Sequence, residues 1–131
     1  MVAAFYRVAM IVSSEESLPF YRRLGFTEIL RKKREKDTVV LMDGYGMQLE
    51  FFIDPSHPSH HSGPEQPIGL RRFALKVDNI EKTLSELDLN KENIGPTIDD
   101  WMGSRFCIIQ DPDGLKIELH DRFRGGHIDD T

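Results

Sequence analysis

Apolar and polar residues alternate with a period of two over several short stretches of this chain, and recur every three to four residues over two others. These are the signatures of strands and of amphipathic helices. Residues 5–12 alternate and predict a strand. Ser13 or Ser14 can cap the helix that follows, with Glu15 and Glu16 in its first turn, where the helix dipole favours negative charge. Leu18, Tyr21 and Leu24 recur at helical spacing, and Gly25 ends the run. Pro19 falls inside it, so the helix either starts late or has an irregular first turn. Residues 26–30, 38–42 and 47–53 read as strands, with Asp43-Gly44-Tyr45-Gly46 as a turn.

The pattern then repeats. Arg7-Val8-Ala9-Met10-Ile11-Val12 matches Arg72-Phe73-Ala74-Leu75-Lys76-Val77, and Leu49-Glu50-Phe51-Phe52 matches Ile117-Glu118-Leu119-His120. In the second half, residues 70–77 predict a strand and Ile80, Thr83, Leu84 and Leu87 a helix face. Residues 98–101 lead into a strand at 104–110. Asp111-Pro112-Asp113-Gly114 is a hairpin turn, and 115–121 is the last strand. Each half therefore reads as βαβββ. The expected organisation is one domain, 1–131, built of a module at 5–54, a linker at 55–67 rich in Pro, Ser and His, a second module at 68–121 and a frayed tail at 122–131.

Composition narrows the function classes. Apolar content of 39% and charged content of 30% are those of an ordinary globular domain. The net charge of -5 argues against a nucleic-acid partner, which needs a positive surface. The one basic run, at 31–34, is followed at once by Glu35 and Asp37 and reads as a solvated hairpin face. Residues 1–10 contain Arg7 and no long apolar run, so no signal peptide is expected, and no stretch approaches the roughly 18 apolar residues of a membrane helix. The cytoplasm is the default expectation. The single cysteine, Cys107, reads as a small buried hydrophobe in a strand.

Strand alternation sorts the side chains onto two faces. Val8, Met10 and Val12, with Phe73, Leu75 and Val77, Leu49, Phe51 and Ile53, and Ile117 and Leu119, form the face expected to pack on the helices. The opposite face holds Arg7, Ala9 and Ile11; Gln48, Glu50 and Phe52; Arg72, Ala74 and Lys76; and Lys116, Glu118 and His120. Four charged residues, Arg7, Glu50, Arg72 and Glu118, thus occupy matching places in four strands. A solvated sheet face is the plain explanation. The small Ala9 and Ala74 beside those charges point instead to a concave site.

The chain resembles the vicinal oxygen chelate superfamily, which comprises glyoxalases, bleomycin-resistance proteins and extradiol dioxygenases. It looks most like small bacterial glyoxalase I-like proteins. The resemblance spans residues 5–121. It rests on Phe20-Tyr21-Arg22-Arg23-Leu24-Gly25-Phe26, Gln48-Leu49-Glu50-Phe51-Phe52 and the stretches at 69–78, 103–106 and 111–119, in that order and spacing. It implies an α+β fold in which two βαβββ modules form a curved mixed sheet with a concave site. It also implies a small-molecule partner and a homodimer. In the family's enzymes a divalent ion is held by His, Glu, His and Glu. Carried over by motif, the glutamates are Glu50 and Glu118 and the histidine positions fall on Arg7 and Arg72.

That departure governs the expected chemistry. A guanidinium has no acceptor lone pair and stays protonated, so arginine ligates no metal. Two carboxylates alone make a weak site for nickel, zinc or manganese. Glyoxalase chemistry uses the ion to stabilise an enediolate, and loses its main electrostatic term without it. Two guanidinium groups neutralise two carboxylates as a divalent ion would, so forked ion pairs of Arg7 and Arg72 with Glu50 and Glu118 are expected. No cofactor is favoured, and three functions stand open. The first is a binding protein whose altered metal site takes a small molecule, an anionic one suiting the arginines, with Arg7, Arg72, Trp101, Phe106 and His120 at the ligand. The second is an enzyme, either a metal-dependent lyase or isomerase of the lactoylglutathione lyase type with Glu50, Glu118 and His120 as ligands, or a metal-free isomerase with Glu50 or Glu118 as the catalytic base. The third keeps the scaffold without chemistry, its exposed sheet edges serving dimerisation. By analogy with relatives, Trp101, Met102 and Phe106 would wall the pocket. His57, His60 and His61 lie in the linker and His127 in the tail, where ordinary solvated positions are expected.

Overall fold

A computed structural model describes residues 1–61, 63–101 and 103–122. It divides into two compact units, Met1–Ser59 and His60–Thr131. The first contains β1 (Arg7–Val12), α1 (Leu18–Arg23), β2 (Thr27–Lys33), β3 (Thr38–Gly44) and β4 (Met47–Ile53). The second contains β5 (Phe73–Lys76), α2 (Ile80–Leu87), β6 (Ile94–Asp99), β7 (Arg105–Gln110) and β8 (Lys116–Arg122). This is an α+β fold of two βαβββ modules. Each makes its own four-stranded sheet, ordered β1-β4-β3-β2 and β5-β8-β7-β6. In both, the first and last strands pair in parallel and the remaining pairs are antiparallel. Register repeats as well: Ala9 stands opposite Glu50, and Ala74 opposite Glu118.

The cores form where the alternation places them. In the first module Leu18, Phe20 and Tyr21 of α1 and Val40, Met42, Leu49 and Phe51 of the sheet are buried, with the Tyr21 and Phe51 rings 4.8 Å apart. In the second, Ile80 and Leu87 of α2 join Cys107, Ile109, Ile117 and Leu119. Each such side chain contributes about 1.5–3 kcal/mol by leaving water. Burial also raises the Cys107 thiol pKa.

Pro19 is accommodated in both of the ways expected. Glu15–Ser17 form a 3-10 turn capped by the Ser14 side chain, which accepts from Glu16 N at 3.2 Å. The α-helix proper starts at Leu18, with Pro19 in its first turn, where a missing N–H costs nothing. The Leu24-Gly25-Phe26 motif has a mechanical role. Gly25 takes φ 109°, and a Cβ there would collide with the Tyr45 hydroxyl, which donates to the Leu24 carbonyl. Tyr45 and Gly46, at φ 54° and 80°, make the two-residue turn joining β3 and β4.

Several boundaries differ from the pattern, and β3 runs on through Asp43 and Gly44, which the pattern places in the turn. The strand expected at 70–77 is confined to Phe73–Lys76, and Leu70 is exposed. Apolar residues alone do not make a strand when no neighbour pairs with them. Strand β6 starts at Ile94, ahead of the stretch at 98–101, because Gly95-Pro96 interrupts its alternation. A register shift between Ile94 and Thr97 accommodates the proline, which cannot donate to a ladder. Strand β2 runs to Lys33 and carries a bulge between Glu28 and Leu30. Arg122 belongs to β8, and the rest of the expected tail, like Met102 and His127, lies outside the described residues. Among those described, no helix is long and apolar enough to cross a membrane.

Candidate functional site

In the second module the face opposite α2 gathers Arg72, Glu118, His120 and Phe106. The parallel pairing of β5 with β8 and the antiparallel pairing of β7 with β8 set this register, with Phe106 opposite His120. Arg72 Nε donates to Glu118 Oε2 at 2.5 Å, and His120 Nε2 lies 2.7 Å from Glu118 Oε1. Both carboxylate oxygens are therefore engaged. The three side chains are about one-fifth exposed, so these contacts are less screened than surface pairs. Burial pushes the Glu118 pKa up, but the hydrogen bonds from His120 and Arg72 outweigh it, and the net shift is downward. Phe106 stacks on the His120 ring, 5.5 Å between centroids, and fixes its plane.

The matching face of the first module is arranged differently. Arg7 stands opposite Gln48, and donates to Gln48 Oε1 from Nε at 3.2 Å and Nη2 at 2.8 Å. Its Nη2 also donates to the Tyr6 hydroxyl at 2.7 Å, and the guanidinium lies 4.2 Å from the Tyr6 ring centroid. Glu50 has no ion-pair partner among the described residues of its own module. Within the modules, Arg72 pairs with Glu118 through one nitrogen rather than the expected fork, and Arg7 takes Gln48 and not Glu50. Gln48 shared the predicted face with Glu50, yet nothing local marked it as the acceptor that takes Arg7.

The other candidates are dispersed. Trp101 follows β6 in a turn and is 90% exposed. His57 lies in the loop after β4, 3.5 Å from the Asp54 carboxylate, while His60 and His61 are exposed. Arg34 is exposed at the β2–β3 hairpin, as the pattern predicts, and its guanidinium also lies 5.6 Å from the Phe52 ring centroid, on the same face as Glu50.

The donor set does not suit a divalent ion. Arginine offers no lone pair, and Glu118 already serves two cation-like donors. Among the described residues of either module, no three His, Cys, Asp or Glu side chains gather as a metal cluster.

Residues 7–119 match the model of the Glyoxalase/Bleomycin resistance protein/Dioxygenase superfamily. The chain is 32% identical to the Bacillus subtilis (strain 168) protein YwkD, over 93% of this chain and 99% of that one. A glyoxalase family protein from Enterococcus faecalis is 30% identical with a TM-score of 0.77, covering 89% of this chain and 96% of the other. A bleomycin-binding protein solved in complex with bleomycin shares the fold, with a TM-score of 0.61 at 18% identity, over 94% and 100% of the two chains.

Proposed function

This chain belongs to the Glyoxalase/Bleomycin resistance protein/Dioxygenase superfamily, and on that premise we propose that it binds a small anionic molecule on the open faces of its sheets, where the family's metal site is degenerate. Arg7 and Arg72 stand where relatives place histidine, and each carries a fixed positive charge. The observation that supports this most directly is the Arg72–Glu118 ion pair. It neutralises a half-buried carboxylate internally, a task that otherwise falls to a bound cation. The guanidinium of Arg7 is held by neutral Gln48 and Tyr6, so its charge is uncompensated by them and open to an anion. Ligand contact is assigned to Arg7, Arg72, Phe106 and His120. Trp101 can join only from its exposed turn.

A lactoylglutathione lyase-type metal enzyme using Glu50, Glu118 and His120 is disfavoured by the same contacts. A metal at Glu118 would have to displace both Arg72 and His120. We further place both modules and their linker in one working domain and expect a homodimer, which light scattering tests.

Metal analysis of protein purified without chelators decides the central point. The expected content is well below one ion per chain. Stoichiometric nickel, zinc or manganese would overturn the proposal. A thermal-shift screen of small organic anions then reads binding, since a ligand of the folded state alone raises the melting temperature.

A further inference from the structure

The basic run at 31–34 does not present a single face. The bulge at Ile29 reverses the alternation of β2, so that Leu30 pairs with Leu41 and Lys32 with Val39. Arg31 consequently points to the helix side, where Glu28 and Glu15 take its guanidinium. Arg34 falls on the open side with Glu50 and Phe52. There it borders a cavity of about 420 Å³, floored by Ala9, Ile11 and Phe52 and rimmed by Arg34, Lys36 and Asp37. Small-molecule sites share this size and build, an apolar floor with a few convergent polar groups.

The charges on the rim are not all available. Asp37 grips Arg34 at Nε and Nη2, at 2.6 and 2.7 Å, and this leaves the Nη1 edge of the guanidinium without a partner among the described residues. Asp54, also on the rim, is occupied by the Ser56 N–H and hydroxyl at 2.9 and 2.7 Å, with His57 beside it. Lys36 has no ion-pair partner among the described residues. The rim is formally neutral, Arg34 and Lys36 against Asp37 and Asp54, and the donors it leaves to a ligand are one guanidinium edge and one ammonium, next to an aromatic ring and two aliphatic side chains. Asp37, and at longer range Glu50, keep Arg34 protonated, so the charge is permanent. In a chain of net charge -5, diffuse attraction cannot hold an anion, and recognition must be local.

We infer that this cavity is a binding site for a small organic carboxylate, its acid group on Arg34 Nη1 and Lys36 and its apolar body on Phe52, Ala9 and Ile11. The inference rests on the proposed function in taking the open sheet face as the binding face, and it names the ligand class and the residues that select it.

Benzoate is the probe, titrated into the full chain and followed by backbone amide NMR, with benzamide and inorganic phosphate as controls. Benzoate should saturate and shift the amides of Ala9, Ile11 and Phe52. Benzamide should bind at least tenfold more weakly, and phosphate, which has no apolar body, should not compete. Arg34→Gln should weaken benzoate at least tenfold, and Arg31→Gln should leave it unchanged. Because Arg34→Gln also releases Asp37, Ala9→Leu provides a second variant. It fills the floor from an exposed position, keeps the Arg34–Asp37 pair, and should weaken benzoate by a similar factor. No saturation, equal binding of benzamide, or wild-type affinity in either variant overturns the inference. A benzoate site that responds to Arg7→Met or Arg72→Met but not to Arg34→Gln would keep the proposed function and remove this cavity from it. Stoichiometric metal would overturn the proposed function while leaving the cavity test intact.

Discussion

Ala9 faces Glu50 across β1 and β4 as Ala74 faces Glu118 across β5 and β8, yet the two glutamates are held in different ways. The cause lies two residues to either side. Before Glu50 stands Gln48, whose carbonyl accepts from Arg7. The matching place before Glu118 is Lys116, which offers only a second cation, so Arg72 pairs with the carboxylate. After Glu50 stands Phe52, apolar and part of the cavity floor. After Glu118 stands His120, which takes the second carboxylate oxygen. One backbone module thus yields a self-neutralised acid in one copy, and in the other an acid with no ion-pair partner among the described residues of its module, with no change of register. Duplicated scaffolds can divide their labour through such neighbours alone.

The core faces should show no such division. Leu49→Ala and Leu119→Ala remove fully buried side chains at matching positions, and each is expected to cost about 2–5 kcal/mol in urea denaturation. A negligible cost for one of them would break the equivalence. Metal affinity should separate the modules most clearly. Arg72→His places an imidazole beside Glu118 and His120 and should raise zinc or nickel affinity about 100-fold over the unmodified chain, in line with the weight of one good ligand or its orienting partner. Arg7→His has only Glu50 to join within its module and should gain little. Equal gains in calorimetric titration would contradict the contrast drawn here.

Stability should respond to the same asymmetry more modestly. Arg72→Met leaves Glu118 with one partner and should cost about 1–2 kcal/mol, with some of the pair's strength already lost to solvent. Arg7→Met removes hydrogen bonds to neutral acceptors and should cost roughly 0.5 kcal/mol or less. The smallest effect is on pH dependence. The pKa of Glu118 is lowered in the folded state, so its stabilisation is fully present above the ordinary glutamate value of 4.5 and is lost as pH falls through the folded value. The stability gap between the unmodified chain and Glu118→Gln should be constant at neutral pH and narrow in acid.

Much of this was legible along the chain. Core faces, both modules, and the faces that carry Arg7 and Glu50 in one module and Arg72 and Glu118 in the other follow from residue type and period, because alternation is a property of the extended backbone itself. Less local features were hidden. The start of β6 was obscured by Gly95-Pro96, and Leu70 imitated a strand residue without a strand to pair with. The partner of Arg7 depended on which of two same-face acceptors lay nearer, a difference that spacing does not encode.

Residue chemistry alone established that two guanidinium groups cannot replace two imidazoles as metal ligands, and that the alternating positions make two similar halves. Tertiary structure alone decided where Arg34 goes. One bulged residue, Ile29, exchanges the faces of every side chain that follows it in β2, and whether a strand bulges depends on how it pairs with its neighbour. That pairing is a contact between distant residues, so the conversion of a basic hairpin into the rim of a cavity appears only once the sheet is assembled.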